Sequence, residues 1–141
     1  MLFFLVRNRR REVIAFLEEL KEILGKEDFD MDSDIMIIKK AKSDGQEYST
    51  PYTLLDLNYD TGDVVERLKE LTVFEYSETK IDKDDLNPPL LFVFGKNING
   101  RLVYIKIKVK KGQKKRVLCV SFHYAKDSME FPYMQLGQKR R

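Results

Sequence analysis

The segment from Leu91 to His123 constrains the fold more than any other part of this chain, because it predicts three consecutive strands. Asn99-Gly100 is a strong signal for a tight hairpin turn, and Gly112 lies in a second turn. In the middle strand, apolar and polar side chains alternate and therefore lie on opposite faces. The polar face carries Tyr104, Lys106, Lys108 and Lys110, and the apolar face carries Val103, Ile105, Ile107 and Val109. This pattern predicts an antiparallel meander with one buried face.

The region before the meander is dominated by helical periodicity. Apolar residues recur at helical spacing over Arg9–Leu24, and Gly25 fits the end of that helix. Thr50-Pro51 is typical of an N-cap followed by a proline in the first turn. The other predicted elements are a strand at Ile35–Lys39, a turn at Ser43-Asp44-Gly45, helices at Pro51–Leu57 and from Asp60 or Thr61 to about Leu71, a strand or extended connection at Thr72–Ile81, and a polar loop at Asp82–Pro89.

The order of elements, helices first and then an antiparallel meander, predicts an α+β fold. We expect helices packed on one face of a twisted antiparallel sheet, within a single domain that spans residues 1–141. Residues 1–8 and 128–141 are expected to be peripheral. The expected core combines the apolar faces of the last two strands, namely Val103, Ile105, Ile107 and Val109 with Leu118, Val120 and Phe122.

The composition argues against several classes of protein. The single cysteine, Cys119, lies in an apolar strand, which argues against a disulfide framework and fits the reducing cytoplasm. One histidine and one cysteine cannot supply a thiolate and imidazole zinc site, so we expect no metal and no other cofactor. No apolar run approaches the length of a membrane span. We therefore predict a cytoplasmic protein without a membrane partner.

The charges are divided unevenly along the chain. Residues 1–86 hold 13 Lys+Arg and 21 Asp+Glu, a net charge of −8, whereas residues 87–141 hold 13 Lys+Arg and 2 Asp+Glu, a net charge of +11. One interpretation is a polyanion that binds to the basic half. The other is a solvated, lysine-rich sheet edge that resists aggregation. The charges alone do not decide between them.

The polar face of the meander carries groups that metal-free cleavage of RNA requires. Such cleavage needs a base for the 2′-hydroxyl, cations for the phosphorane and an acid for the leaving 5′-oxygen. We expect Tyr104, whose pKa neighbouring lysines would lower, and His123, whose side-chain type titrates near neutral pH, to transfer protons. Lys96 and Lys106 are the candidates for stabilising phosphate charge. The candidates for holding RNA are Lys108, Lys110, Arg101 and Tyr76, the last by stacking a base.

The same residues also fit a protein without catalysis. A lone histidine at a strand end is more often structural or solvated, Tyr104 can simply cover the sheet, and lysines on a strand face usually meet solvent. Two other functions therefore stay open. One is a non-catalytic module that binds nucleic acid through the basic sheet face, and the other is an interaction domain for an acidic protein.

Two segments of the chain have the order and spacing of motifs in a known family. The first runs from Leu57-Asn58-Tyr59-Asp60 through a helix to Val73-Phe74-Glu75-Tyr76-Ser77, and the second joins Val103-Tyr104-Ile105-Lys106-Ile107 to Val120-Ser121-Phe122. On these segments the chain resembles the MqsR-type toxins of bacterial toxin–antitoxin pairs, within the RelE-like group of small ribonucleases. The resemblance covers roughly residues 57–123.

This resemblance implies a metal-independent mRNA interferase with a RelE-like fold. Its partners would be mRNA and a cognate antitoxin, a DNA-binding protein that can contain zinc. The family's catalytic tyrosine falls on Tyr104, and its C-terminal catalytic lysine falls on His123, which could transfer protons in its place. Its lysine before the serine falls on Tyr76, and its catalytic glutamine has no counterpart near Phe92–Phe94, where Lys96 could compensate.

Overall fold

The structure is a computed structural model that describes residues 7–40 and 45–134. Within these ranges it contains three α-helices and one five-stranded sheet. In chain order the elements are α1 (Arg10–Leu24), β1 (Ile35–Ile37), α2 (Thr50–Leu57), α3 (Thr61–Lys69), β2 (Tyr76–Ile81), β3 (Leu90–Ile98), β4 (Arg101–Lys111) and β5 (Lys115–Tyr124). Ser43 and Asp44 of the predicted turn lie outside the described residues, as do residues 1–6 and 135–141 of the segments expected to be peripheral.

The sheet has the strand order β1-β5-β4-β3-β2. The strands β3, β4 and β5 form the predicted antiparallel meander, and β2 adds a further antiparallel strand next to β3. The helices pack on one face of the sheet. The prediction of an α+β fold is therefore confirmed. The sheet is mixed rather than wholly antiparallel, because β1 pairs in parallel with β5 and places Ile35 opposite Val117. Residues 72–81, which the sequence left open, form a short 3-10 turn followed by β2.

Capping residues determine where the second and third helices begin. The side chain of Asp60 accepts a hydrogen bond from the Asp63 amide at 2.9 Å, and the Asp60 amide donates one to the Asp63 carboxylate at 3.0 Å. The cap of α2 is Ser49, whose hydroxyl accepts from the Tyr52 amide at 3.3 Å. The predicted cap, Thr50, is thus displaced by one residue into the helix. Its hydroxyl makes a different contact, described below.

A β-bulge in β5 decides which of its side chains enter the core. Lys106 pairs with Ser121, but the next residue, Ile107, pairs with Cys119, so Val120 has no partner on β4. An extra residue in one strand shifts its alternation by one position. Consequently, odd-numbered residues of β5 face the core before Val120, and even-numbered residues face it after Val120.

The bulge corrects the predicted core. Val117 and Cys119 are buried before the bulge, and Phe122 and Tyr124 are buried after it. Leu118 and Val120, which strict alternation with Phe122 had placed in the core, are only partly buried. The prediction failed at these two positions because a regular period of two cannot anticipate an inserted residue. The four predicted core residues of β4 are all buried.

Ion pairs within the chain join its acidic and basic halves. Lysines of the meander pair with carboxylates from the helices and from the loops that precede the meander. The pairs are Lys96 with Glu70 and Glu75, Lys108 with Asp82 and Asp85, Lys110 with Asp85, Lys111 and Lys115 with Glu19, and Lys114 with Asp34. Many of the basic side chains of the second half are therefore neutralised by acidic side chains of the first half, within the same domain.

Lys108 is buried, so the expectation that it holds RNA is corrected. Its side chain is 0% exposed, and Nζ donates to Asp82 Oδ2 at 2.6 Å and to the carbonyl oxygens of Asp85 at 3.0 Å and Pro88 at 3.1 Å. Lys110 donates to the Asp85 carboxylate. Both lysines are held because the loop between β2 and β3 folds back over this end of β4.

These ion pairs predict how stability depends on pH. The hydrogen bond from Lys110 holds the pKa of Asp85 at about 2, below its ordinary value of 3.8. A carboxyl group with a lowered pKa in the folded state stabilises the protein above its unfolded-state pKa and loses this contribution as the pH falls through the folded-state value. We expect the free energy of unfolding to decrease from about pH 4 to about pH 2, and Asp85→Asn to remove part of this decrease.

Urea denaturation at a series of pH values measures this effect. Asp84→Asn is the matched control, since it neutralises the adjacent carboxyl group in the same loop. The same pH dependence in the wild type and in Asp85→Asn would contradict the assignment.

Candidate active site

The sheet face opposite the helices forms the floor of an open groove of about 880 Å³. Tyr104 and Lys106 of β4 and Ser121 and His123 of β5 line this floor. They share one face because each lies at an outward position of its strand. On β5, the bulge is what turns Ser121 and His123 outward, opposite Lys106 and Tyr104. Three of the residues predicted to be catalytic, Tyr104, Lys106 and His123, are therefore brought together.

Tyr104 and His123 form a directly opposed cross-strand pair. Their rings are stacked, with centroids 5.1 Å apart and planes 16° from parallel. Nδ1 of His123 lies 2.9 Å from the carbonyl oxygen of Tyr124. Because a carbonyl oxygen only accepts, Nδ1 carries the proton, and Nε2 is the basic nitrogen of the neutral ring. The fold thereby defines one tautomer of the only histidine in the chain.

Burial raises the pKa of the Tyr104 phenol, and the nearby charge of Lys80 opposes this effect without cancelling it. Lys80 Nζ lies 5.9 Å from the centroid of the Tyr104 ring. The expectation that neighbouring lysines lower this pKa is therefore wrong. The phenol keeps its proton at neutral pH, so Tyr104 fits the role of hydrogen-bond donor or general acid better than that of base.

The groove contains cations that the sequence analysis did not select. Lys40, Lys80 and Lys126 line it together with Lys106. They come from three places in the chain, namely the segment after β1, the strand β2 and the segment after β5. No local pattern marks them, because only the strand order of the folded sheet brings them to one face.

Carboxylates also line the groove, so its charge is mixed. Glu78, Asp84, Asp127 and Glu130 stand beside the four lysines and Arg7, and Arg7 Nη2 is paired with Glu130 Oε1 at 2.8 Å. Among the described residues, the lining thus has five basic and four acidic side chains. This balance favours a ligand with few phosphates in the groove over a long polyanion that contacts a uniformly basic surface.

Lys96 lies on the opposite face of the sheet, which corrects its predicted catalytic role. It pairs in register with Val103, a core residue, whereas Gly95 pairs with Tyr104. Its ammonium nitrogen is 3.5 Å from Glu70 Oε1 and 3.3 Å from Glu75 Oε2. Alternation along β3 therefore separates Lys96 from the groove, and it joins the sheet to the helical layer instead.

Tyr76 is buried in the core, so the prediction that it stacks an RNA base is wrong. Its hydroxyl is 2.6 Å from Thr79 Oγ1 and accepts from the Asn8 amide at 3.0 Å. Its ring stacks on Tyr133, with centroids 5.8 Å apart. These contacts attach the N-terminal and C-terminal segments to the edge of the sheet.

Arg101 also lies away from the groove, at the hairpin end of β4. Its guanidinium carbon is 3.7 Å from the centroid of the Tyr124 ring, in a cation–π contact. The Tyr124 hydroxyl in turn donates to Asp56 Oδ2 at 2.6 Å. Arg101 is exposed and lies outside the groove, so its role in holding RNA stays a prediction that the Tyr104–His123 site does not support.

The segment after β5 crosses the open sheet face at Gly95 and forms part of the groove wall. A Cβ atom on Gly95 would lie 2.7 Å from Phe131 Cζ and 2.9 Å from Met129 Sδ. Both distances are below ordinary van der Waals contact. The absence of a side chain at residue 95 is thus what lets this segment lie against β3, beside Tyr104.

We expect Gly95→Ala to displace the segment from β3 and to destabilise the protein by about 1–2 kcal/mol, because the added methyl group overpacks a close contact. Hydrogen exchange should show faster exchange for residues 125–134. Gly112→Ala is the control, since the nearest atom to its Cβ would be 4.0 Å away. Unchanged exchange of residues 125–134 in Gly95→Ala would refute this account.

No protein family, curated protein or solved structure matches this chain in the comparisons made with known proteins. The MqsR-type and RelE-like resemblance therefore stays a prediction. Among residues 7–40 and 45–134, no group of three or more His, Cys, Asp or Glu side chains is arranged to hold a metal ion. None of the described helices combines the length and apolar character needed to cross a membrane.

Proposed function

We propose that this protein is a metal-independent endoribonuclease and the toxin of a toxin–antitoxin pair. The observation that carries the proposal is the stacked Tyr104–His123 pair in an open groove that Lys106 also lines. A base, a protonated phenol and a cation are the groups that cleavage by an internal 2′-hydroxyl requires. The resemblance of the β4 and β5 segments to MqsR-type toxins supports the same reading and supplies the biological role.

In the proposed reaction, Nε2 of His123 removes the proton of a 2′-hydroxyl, and the resulting oxygen attacks the adjacent phosphorus. Lys106 stabilises the charge of the phosphorane. The bond from phosphorus to the 5′-oxygen then breaks, and the Tyr104 phenol protonates the leaving oxygen. The products are a 2′,3′-cyclic phosphate and a 5′-hydroxyl, so no water, metal or redox partner enters this step.

The shape and charge of the groove favour a single-stranded substrate. Its volume of about 880 Å³ is in the range of sites for small molecules and suits a few nucleotides. In single strands the bases can be splayed out and the 2′-hydroxyl can reach the Tyr104–His123 pair. Messenger RNA in the cytoplasm, with a cognate antitoxin as inhibitor, is the substrate and setting that this proposal includes.

We expect purified protein to cleave single-stranded RNA in the presence of EDTA, and His123→Gln and Tyr104→Phe each to lower the rate by about a hundredfold, because each removes one proton transfer. Lys106→Met should lower it as well. Gel analysis of a labelled RNA, with detection of the 2′,3′-cyclic phosphate, measures the effect. Lys115→Met is the matched control, since Lys115 pairs with Glu19 outside the groove.

The DNA oligonucleotide of the same sequence is the second control, because it lacks the attacking hydroxyl. Wild-type activity in His123→Gln and Tyr104→Phe would overturn the proposed mechanism. Salt-sensitive RNA binding without cleavage would favour the alternative, a non-catalytic nucleic-acid-binding module.

Expression in bacteria tests the biological role separately. We expect the wild type to arrest growth, and His123→Gln to permit growth at the same protein level. Growth that is unaffected by a wild-type protein that cleaves RNA in vitro would reject the toxin role and leave the ribonuclease proposal standing.

A further inference from the structure

We infer that Thr50 and Thr53 of α2 are positioning residues that hold His123 in the groove, an inference that builds on the proposed function. Thr53 is 0% exposed and Thr50 is 4% exposed. Each accepts a hydrogen bond from the backbone of β5 on one side of His123. Their importance follows from the position of His123 at the end of β5, where none of the described strands pairs with the outer side of β5.

The partner strand on that side ends too early to support His123. β1 pairs with β5 only from Val117 to Cys119, and its last ladder bond runs from the Ile38 amide to the Cys119 carbonyl. Beyond that point, α2 replaces the missing strand. Thr50 Oγ1 accepts from the Phe122 amide at 3.1 Å, and Thr53 Oγ1 accepts from the Tyr124 amide at 3.0 Å.

These two hydrogen bonds act on the part of β5 whose register the bulge has changed. A strand that slipped by one residue and lost the bulge would turn His123 and Ser121 toward the core and Phe122 toward the groove. The threonines bond the amides of residues 122 and 124, the residues whose side chains face the core in the observed register. A slipped strand would withdraw those amides, so the threonine pair favours the register that exposes His123.

The same bonds fix the orientation of the imidazole. Nδ1 of His123 is bonded to the carbonyl of Tyr124, and the amide of that same residue is bonded to Thr53. Movement of the Tyr124 backbone would therefore change both the ring orientation and the tautomer. Thr53 is fully buried and does not line the groove, so it acts on the reaction only through the β5 backbone.

The test is Thr53→Val, which keeps the branched shape of threonine and removes the acceptor, with Thr53→Ser as the conservative variant. The chain has a single histidine, so the ¹⁵N spectrum of its imidazole reports one ring without assignment. In the wild type we expect a neutral ring protonated at Nδ1. In Thr53→Val we expect a shift toward the other tautomer or a mixture, and Thr53→Ser should restore the wild-type spectrum.

Thr79→Val is the matched control, because Thr79 is also 0% exposed and hydrogen-bonded, but its partners are the Tyr76 hydroxyl and Asn8 Oδ1. It removes a buried threonine hydroxyl without touching β5. An imidazole spectrum that changes in Thr53→Val and not in Thr79→Val supports the inference. A spectrum unchanged in a folded Thr53→Val, or changed equally in both variants, overturns it.

Kinetics provide a second readout. Loss of ring orientation should lower kcat of RNA cleavage by about tenfold to a hundredfold and leave KM nearly unchanged, because Thr53 does not line the groove. If Thr53→Val fails to fold, Thr50→Val and Thr50→Ser are measured by the imidazole spectrum in the same way. The spectrum needs no substrate and therefore tests the placement of His123 by α2 independently of activity. A wild type without ribonuclease activity would refute the proposed function and leave this test valid.

Discussion

The inserted residue at Val120 is the constraint on which the rest of the site depends. Before it, β5 contributes Val117 and Cys119 to the core, and after it, Phe122 and Tyr124. Without the bulge, one strand could not bury both pairs and also direct His123 outward. Core packing and groove chemistry are thus compatible only because one residue of the strand has no partner, which is a common use of bulges beside functional sites.

A bulged strand end needs support, and two neighbouring elements give it. On the inner side, the pairing of Val103 with Tyr124 and of Tyr104 with His123 continues the ladder with β4 to the end of β5. On the outer side, the hydroxyls of α2 replace the strand that β1 is too short to provide. The displaced cap explains why this is possible. Since Ser49 caps the helix, the Thr50 hydroxyl is directed to β5.

The charges of the meander show why net charge was a poor guide to function. The basic half seemed to require an external polyanion or solvent, yet many of its lysines pair with carboxylates of the first half. Lys108 is the extreme case, because full burial is tolerable only with a carboxylate and two carbonyl oxygens around the ammonium. Within the described part of the chain, Lys40, Lys80, Lys106 and Lys126 line the groove, where carboxylates lie beside them.

The sequence predicted the parts of the fold that depend on local patterns. Alternation located β4, Asn99-Gly100 located its hairpin, and helical periodicity located α1. The same patterns placed Tyr104 and Lys106 on one face, where the structure has them. They could not predict the parallel pairing of β1 or the position of Lys80, because both depend on strand order, which no local period encodes.

The errors among the candidate site residues have a common physical origin. Residue type selected Lys96, Lys108 and Tyr76 as site residues. In the structure, the polar group of each is paired with another side chain of the domain. In a domain of this size, a polar side chain buried at a boundary between layers must find an internal partner, so its chemistry serves the fold. Tyr104 and His123 differ because they contact each other across the open face, where the helices provide no cover. Residue type alone therefore cannot distinguish structural lysines from functional ones. The sheet face excludes Lys96 from the groove, but Lys108 shares the face of Tyr104 and is excluded only because the loop between β2 and β3 covers it.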